Sequence, residues 1–416
     1  YALESKNISA QILPAERFLL RARMRPEAAA VEKTARMLLE AERPLLVVGD
    51  EVWKSGAQAE LVAFAEKFGL PVAAGTQGFR NFPVRHPLYL GNFSMGAEYV
   101  KAGVDLLVMV GAKDFGGRVV PGAPEAPSSA RIVRIGLDTA SMGRNYPTDV
   151  ALVADVREAL SDLRAAVEGL ATKQRIASVG TARADQVRAM TAAAHARGDA
   201  AARKTFGQRP IHPLQLGDAV ARAIDRDAIV VSENLTGRYD AFPFGFRENE
   251  PMWVGNTGNS LGWGIGASIG AKLASPDRQV VCAIGDGSVM YSASGFWTQA
   301  RYSIPVLTVV WNNRNYQAVR FAYHSYKGKM AETGKYCGMY LGDPDIDFVR
   351  LAESQGVGGE KVERPDQLDA ALKRGIAATR DGKPYLIDAV IARYGGGAES
   401  TWHETFQLAE RRKRRV

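Results

Sequence analysis

The chain has 416 residues, with 53 Lys+Arg against 45 Asp+Glu and a formal net charge of +8. Hydrophobic residues at 46% and charged residues at 24% are the composition of a globular protein, and they exclude a disordered or fibrous chain. No apolar run approaches the ~20 residues a membrane helix needs. Two cysteines, Cys282 and Cys337, cannot build a disulfide framework or a four-cysteine zinc site, and they point to a reducing, cytoplasmic setting.

Five of the eight net charges lie in Arg411-Arg412-Lys413-Arg414-Arg415. We read this stretch as a solvated basic terminus, because no zinc finger, helix-turn-helix or ribonucleoprotein motif accompanies it. Neither nucleic acid nor membrane is an expected partner. The opening, Tyr1-Ala2-Leu3-Glu4-Ser5-Lys6, lacks an initiator Met and any signal or transit pattern. It reads as the middle of a longer polypeptide, with residues 1–26 a linker between domains.

From Pro44 the pattern alternates between strand and helix. Leu45–Gly49 is a buried strand, Gln58–Phe68 an amphipathic helix closed by Gly69, and Pro71–Ala74 the next strand. Strands at Leu106–Gly111 and Ile132–Leu137 and a helix near Val156–Val167 complete a central α/β domain over residues 27–170. Residues 171–210, rich in Ala, Arg, Lys and Gln, predict a solvent-facing helical linker. A second α/β unit over residues 211–394 begins with helix Pro213–Ile224, strand Ala228–Val231, helix Leu261–Leu273 and strand Val280–Ile284. Helix Ser292–Tyr302, strand Val306–Trp311, helices near Ile346–Gln355 and Pro365–Thr379, and strand Tyr385–Ile391 follow. Gly395-Gly396-Gly397 predicts a flexible hinge from which a tail, residues 395–416, leaves the compact fold. The expected class is α/β, with two doubly wound parallel-sheet domains.

The informative stretch runs from Asn256 to Arg320. One strand ends in Gly285-Asp286-Gly287-Ser288, and a later one in Trp311-Asn312-Asn313. Both polar elements therefore fall at the carboxyl ends of parallel strands, the edge where open α/β sheets bind ligands. Asp286 and Asn313 offer hard oxygens suited to Mg²⁺ or Ca²⁺. The glycines permit close backbone approach, and Ser288 enters a helix whose N-terminus favours phosphate. Together these features predict a site for a metal-bound diphosphate. A dinucleotide loop at Gly262-Trp263-Gly264-Ile265-Gly266 fails on spacing, and no Walker loop is present.

Gly285-Asp286-Gly287 followed by Asn312-Asn313, 27 residues from Asp286 to Asn313, resembles the thiamine diphosphate motif. The likeness extends to the central domain, including Phe82-Pro83-Val84-Arg85-His86-Pro87, and is nearest to acetolactate synthases and benzoylformate decarboxylases. Carried over, it implies Mg²⁺ held by the side chains of Asp286 and Asn313 and the Asn315 carbonyl. Thiamine diphosphate would touch Thr236, Asn259, Ser260, Leu261, Gly285, Gly287, Ser288, Asn315 and Tyr316. Leu261 matches the bulky residue that wedges beneath the cofactor, although core packing is its plain alternative. Val319, Phe321, Ala322 and His324 fall where the family lines its substrate pocket. FAD, bound by acetolactate synthases, is a possible further cofactor with no residue here to support it.

Benzoylformate decarboxylases use a central-domain histidine, and the comparable stretch here, Lys113-Asp114-Phe115-Gly116-Gly117-Arg118, has none. Among the other histidines, His86 reads as structural, and His195 and His212 as surface groups.

What the resemblance implies is decarboxylation or carboligation of a small 2-oxo acid by a homodimer or homotetramer. The alternative is a non-catalytic diphosphate-binding subunit. The family's activating glutamate sits on a pyrimidine-binding domain that precedes these segments, and no carboxylate here, Glu233 included, matches it. Either that domain is lost or left out, or a partner chain supplies it, and these 416 residues alone are expected to be inactive.

Overall fold

The computed structural model describes residues 11–19, 22–76, 78–115, 126–144, 146–234, 252–256, 258 and 260–404. Its strands are β1 (Pro44–Val48), β2 (Val72–Ala74), β3 (Tyr89–Asn92), β4 (Leu106–Val110), β5 (Arg131–Gly136), β6 (Val150–Val153), β7 (Ile229–Glu233), β8 (Met252–Gly255), β9 (Val280–Gly285), β10 (Val306–Asn312), β11 (Gly358–Val362) and β12 (Tyr385–Val390). They form two six-stranded parallel sheets, ordered β3-β2-β1-β4-β5-β6 and β11-β12-β10-β9-β7-β8. Strands β1, β4, β9 and β10 are apolar along almost their whole length and buried, because helices cover both faces of each sheet. The chain reverses its winding between β1 and β4 in the first sheet and between β7 and β9 in the second, which opens a crevice at each switch point.

The stretch expected to be a solvent-facing helical linker is helical, over Lys173–Arg203, but it is docked on the first domain. Its Ile176, Gly180, Ala184 and Val187 are buried. Gly180 lies so close to Gly69 that neither position has room for a side chain. Buried Arg183 donates to the carbonyls of Leu38 (2.7 Å) and Ala41, where helix Ala28–Glu40 ends. A cation at those unsatisfied carbonyls complements the helix dipole and fastens the long helix in place.

The tail also departs from expectation. Residues 395–400 pack against the second domain, with Ala398 only 2% exposed. Fully buried Arg320 donates to the carbonyls of Gly397 (2.9 Å) and Ser400, and the Ser400 hydroxyl donates to the Gly334 carbonyl at 2.6 Å. Two of the three glycines serve close approach, Gly396 lying against His324 and Gly397 against the Tyr336 ring, while Gly395 turns the chain at φ +91°. His212, expected on the surface, is half-buried, and its Nδ1 accepts from the Leu214 amide at 3.2 Å to cap helix Pro213–Ala223. His86 is structural, bonded to the Leu88 amide (3.1 Å) and Glu66 (3.1 Å).

Candidate functional site

Strand β9 pairs with β7 on one side and β10 on the other, so the residues that end these strands meet at one edge. Asp286 begins helix Asp286–Ser292 directly after β9 and is 3% exposed. Its Oδ1 accepts from the Gly287 amide at 2.8 Å, whereas its Oδ2 has no hydrogen-bond partner. Burial pushes the carboxyl up to about 7, against the pull of the amides of Gly287, Arg314 and Asn315 and with Asp388 raising it further. After β10 the chain turns through Arg314 at φ +56°, and the Asn313 Oδ1 accepts from the Asn315 amide at 2.9 Å. The Asn315 side-chain oxygen is buried and unpartnered.

These donors fit a hard divalent cation. A buried carboxylate with one bare oxygen is costly without a counter-charge, and a cation supplies it. Gly287 adds a cradle, because a Cβ there would lie 2.5 Å from the Tyr316 ring.

The cleft at this edge is lined by Glu233, Asn234, Leu261, Gly285, Asp286, Gly287, Ser288, Trp311, Asn313, Asn315, Tyr316, Gln317, Ala318 and Val319. No Lys or Arg is among these described residues. Sequence-predicted Leu261, Gly285, Asp286, Gly287, Ser288, Asn313, Asn315, Tyr316 and Val319 are thus brought together. Ser260 lies beside the cleft, exposed, with its carbonyl accepting from Asn256 at 2.7 Å. Phe321, Ala322 and His324 sit farther along helix Gln317–Ser325. Phe321 is 51% exposed, and the His324 Nδ1 lies 2.6 Å from the Tyr336 hydroxyl. Thr236 and Asn259 fall outside the described residues.

Glu233 matches no activating position of the motif. Its signal was an acid ending an apolar strand, upstream of a glycine-rich helix start. In the fold it is 5% exposed, and its two oxygens accept from the amides of Gly262 and Gly264, each at 2.6 Å.

A parallel α/β domain that presents buried carboxylate and amide oxygens beside a glycine-flanked helix start, at its switch point, has the donor chemistry of a ligand-binding α/β domain. Residues 31–163 match the thiamine pyrophosphate enzyme central domain, and residues 237–389 match the C-terminal TPP binding domain. The chain belongs to the thiamine pyrophosphate enzyme family.

It is 28% identical over 372 residues to a probable acetolactate synthase large subunit from Methanocaldococcus jannaschii, covering 87% of this chain and 59% of that protein. An acetolactate synthase large subunit from Parasynechococcus marenigrum is 30% identical over 375 residues, covering 88% and 57%. Among solved structures, a thiamine diphosphate-dependent 4-hydroxybenzoylformate decarboxylase from Rhodococcus jostii superposes with a TM-score of 0.68 at 27% identity, covering 90% of this chain and 66% of that one. The chain therefore spans less than two thirds of the length of these relatives.

Proposed function

We propose that this chain forms the diphosphate- and Mg²⁺-binding part of an enzyme that decarboxylates a small 2-oxo acid or joins it to a second carbonyl compound. One observation carries the reading. Asp286, whose buried Oδ2 is unpartnered, lines a cleft whose described lining holds carboxylates and no Lys or Arg. A diphosphate entering that cleft needs a positive charge that these side chains do not supply, and a divalent cation on Asp286, Asn313 and the Asn315 carbonyl would provide it.

When bound, thiamine diphosphate supplies a nucleophilic carbon and an electron sink for cleaving the bond to the carboxylate. This chain's share is binding and orientation. Gly287 and Ser288 would present the start of helix Asp286–Ser292 to the diphosphate, and Leu261 would pack against the cofactor. Val319 and Ala318 make the adjoining wall apolar, which excludes water from the reacting centre. The activating glutamate belongs to a pyrimidine-binding domain supplied from outside these residues, and assembly as a dimer or tetramer is part of the proposal. Flavin is not.

Isothermal calorimetry on the full-length protein tests the reading. Asp286→Ala, or removal of Mg²⁺ by a chelator, is expected to weaken thiamine diphosphate binding at least about tenfold. Unchanged affinity in both would sink it.

A further inference from the structure

We infer that Glu233 is a positioning residue that fixes Leu261 in the cofactor cleft. The inference rests on the proposed function and goes beyond it, because Glu233 needs no contact with cofactor or metal.

Its carboxylate brackets the start of helix Trp263–Ala274. One oxygen accepts from the Gly262 amide and the other from the Gly264 amide, both at 2.6 Å and both buried. Gly262, immediately after Leu261, is held at φ +87°, and a Cβ there would lie 2.7 Å from the Cβ of Tyr291. The Ser292 hydroxyl donates to the Gly262 carbonyl at 2.6 Å. Gly262, next to Leu261, is therefore tied through its amide to the end of β7 and through its carbonyl to the helix that begins at Asp286. Those two elements also carry the metal-side wall of the cleft, so Leu261 and Asp286 share one rigid frame.

Only a carboxylate can serve both amides. A glutamine accepts through one atom and turns an NH₂ group toward the second N–H, leaving a buried donor unsatisfied. A carboxylate at a helix start also stabilises the helix generally. The test must therefore separate aiming of Leu261 from simple capping.

Glu233→Gln, Leu261→Ala and the double variant are made in the full-length protein with Mg²⁺ and thiamine diphosphate. Amide hydrogen exchange at Gly262 and Gly264 is read alongside cofactor affinity and kcat. In Glu233→Gln the two amides are expected to exchange about ten- to a hundredfold faster. Turnover is expected to fall about tenfold, with cofactor affinity changed less than about threefold. In the Leu261→Ala background the same substitution should cost little further turnover, since the side chain it aims is gone.

A Glu233→Gln variant with wild-type kcat would overturn the inference. So would a loss of equal size in the Leu261→Ala background, or affinity, turnover and melting temperature falling together. Should Glu233→Gln not fold, Glu233→Asp keeps the charge but is one methylene too short for both amides, and it is read against the same outcomes. A wild-type protein that binds no thiamine diphosphate would remove the proposed function and this inference with it. Normal binding with an indifferent Glu233 would remove the inference alone.

Discussion

The side-chain amide of Asn315 donates to the carbonyl of Ala398 across 3.2 Å, both groups being buried. A residue in the proposed metal site is thereby tied to the segment after the three glycines. The neighbouring Gln317 amide reaches the Tyr394 carbonyl at 2.9 Å, and Arg320 holds Gly397 and Ser400. Deleting residues 395–416 is thus expected to destabilise the second domain as well as the site. Stripping carbonyl partners from a buried guanidinium costs about 2–4 kcal/mol, visible as a melting temperature several degrees lower. An unchanged melting temperature in the truncated full-length protein would show that these bonds contribute nothing net.

The four strands that sequence reasoning did not anticipate, β3, β6, β8 and β11, are the four edges of the two sheets. Interior strands are recognised by continuous apolar runs such as Leu45–Val48 and Val306–Trp311. Edge strands lack that constraint: β6 alternates buried and exposed residues, and β11 reads Gly358-Gly359-Glu360-Lys361-Val362. At the site, local motif spacing located Asp286 and Asn313. The partners of Glu233 and Arg320 lie 29 to 80 positions away in sequence, and only the folded chain reveals them. The docked helix was hidden for a similar reason. Ala, Arg and Lys fit a solvated helix equally well, and its anchors, Gly180 and Arg183, act through close approach and terminal carbonyls rather than apolar bulk.

Asp388 gives a pH dependence of known sign. It is buried in β12, accepts from the Asn312 side-chain amide at 2.9 Å, and burial raises its carboxyl from 3.8 to about 6. A folded-state value above the unfolded one means the folded chain binds the proton more tightly, so this residue's contribution to stability falls as pH rises from about 4 through about 6. Asp388→Asn keeps an acceptor for Asn312 and removes the charge. It is expected to flatten that slope and to raise stability near neutral pH by about 1–3 kcal/mol. Denaturant unfolding of both proteins across this range is the check, and a variant less stable at pH 7 would contradict it.

In the central sheet's crevice a carboxylate occupies the amides at the strand ends. Glu51, just beyond β1, accepts from the amides of Leu137 (2.6 Å) and Asp138 (3.3 Å) beyond β5. It also lies over Gly111 and Gly136, where added Cβ atoms would fall 2.8 Å and 2.7 Å from its side chain. A fixed carboxylate on those amides opposes an anionic or ribose-bearing ligand at the switch point. The full-length protein is expected to purify without visible flavin absorbance, and added FAD should keep its free fluorescence. Stoichiometric flavin would show that Glu51 moves aside.

Substrate choice follows from charge in the other cleft. Its described lining includes Glu233 and Asp286 and no Lys or Arg, while Leu261, Ala318 and Val319 give it an apolar wall. Once a divalent cation and a diphosphate are in place, no described residue of that wall compensates a second substrate carboxylate, and an unpaired charge there is costly. Apolar or aromatic 2-oxo acids with one carboxylate are therefore expected to outcompete dicarboxylic ones by at least about a hundredfold in kcat/KM. Val319→Ala should shift the preference toward bulkier side chains, because a removed branched side chain in such a wall is worth about 1–3 kcal/mol of discrimination. Competition between matched mono- and dicarboxylic 2-oxo acids on the full-length protein decides it, and a preference for the dicarboxylic substrate would place a basic group at this wall from outside the described residues.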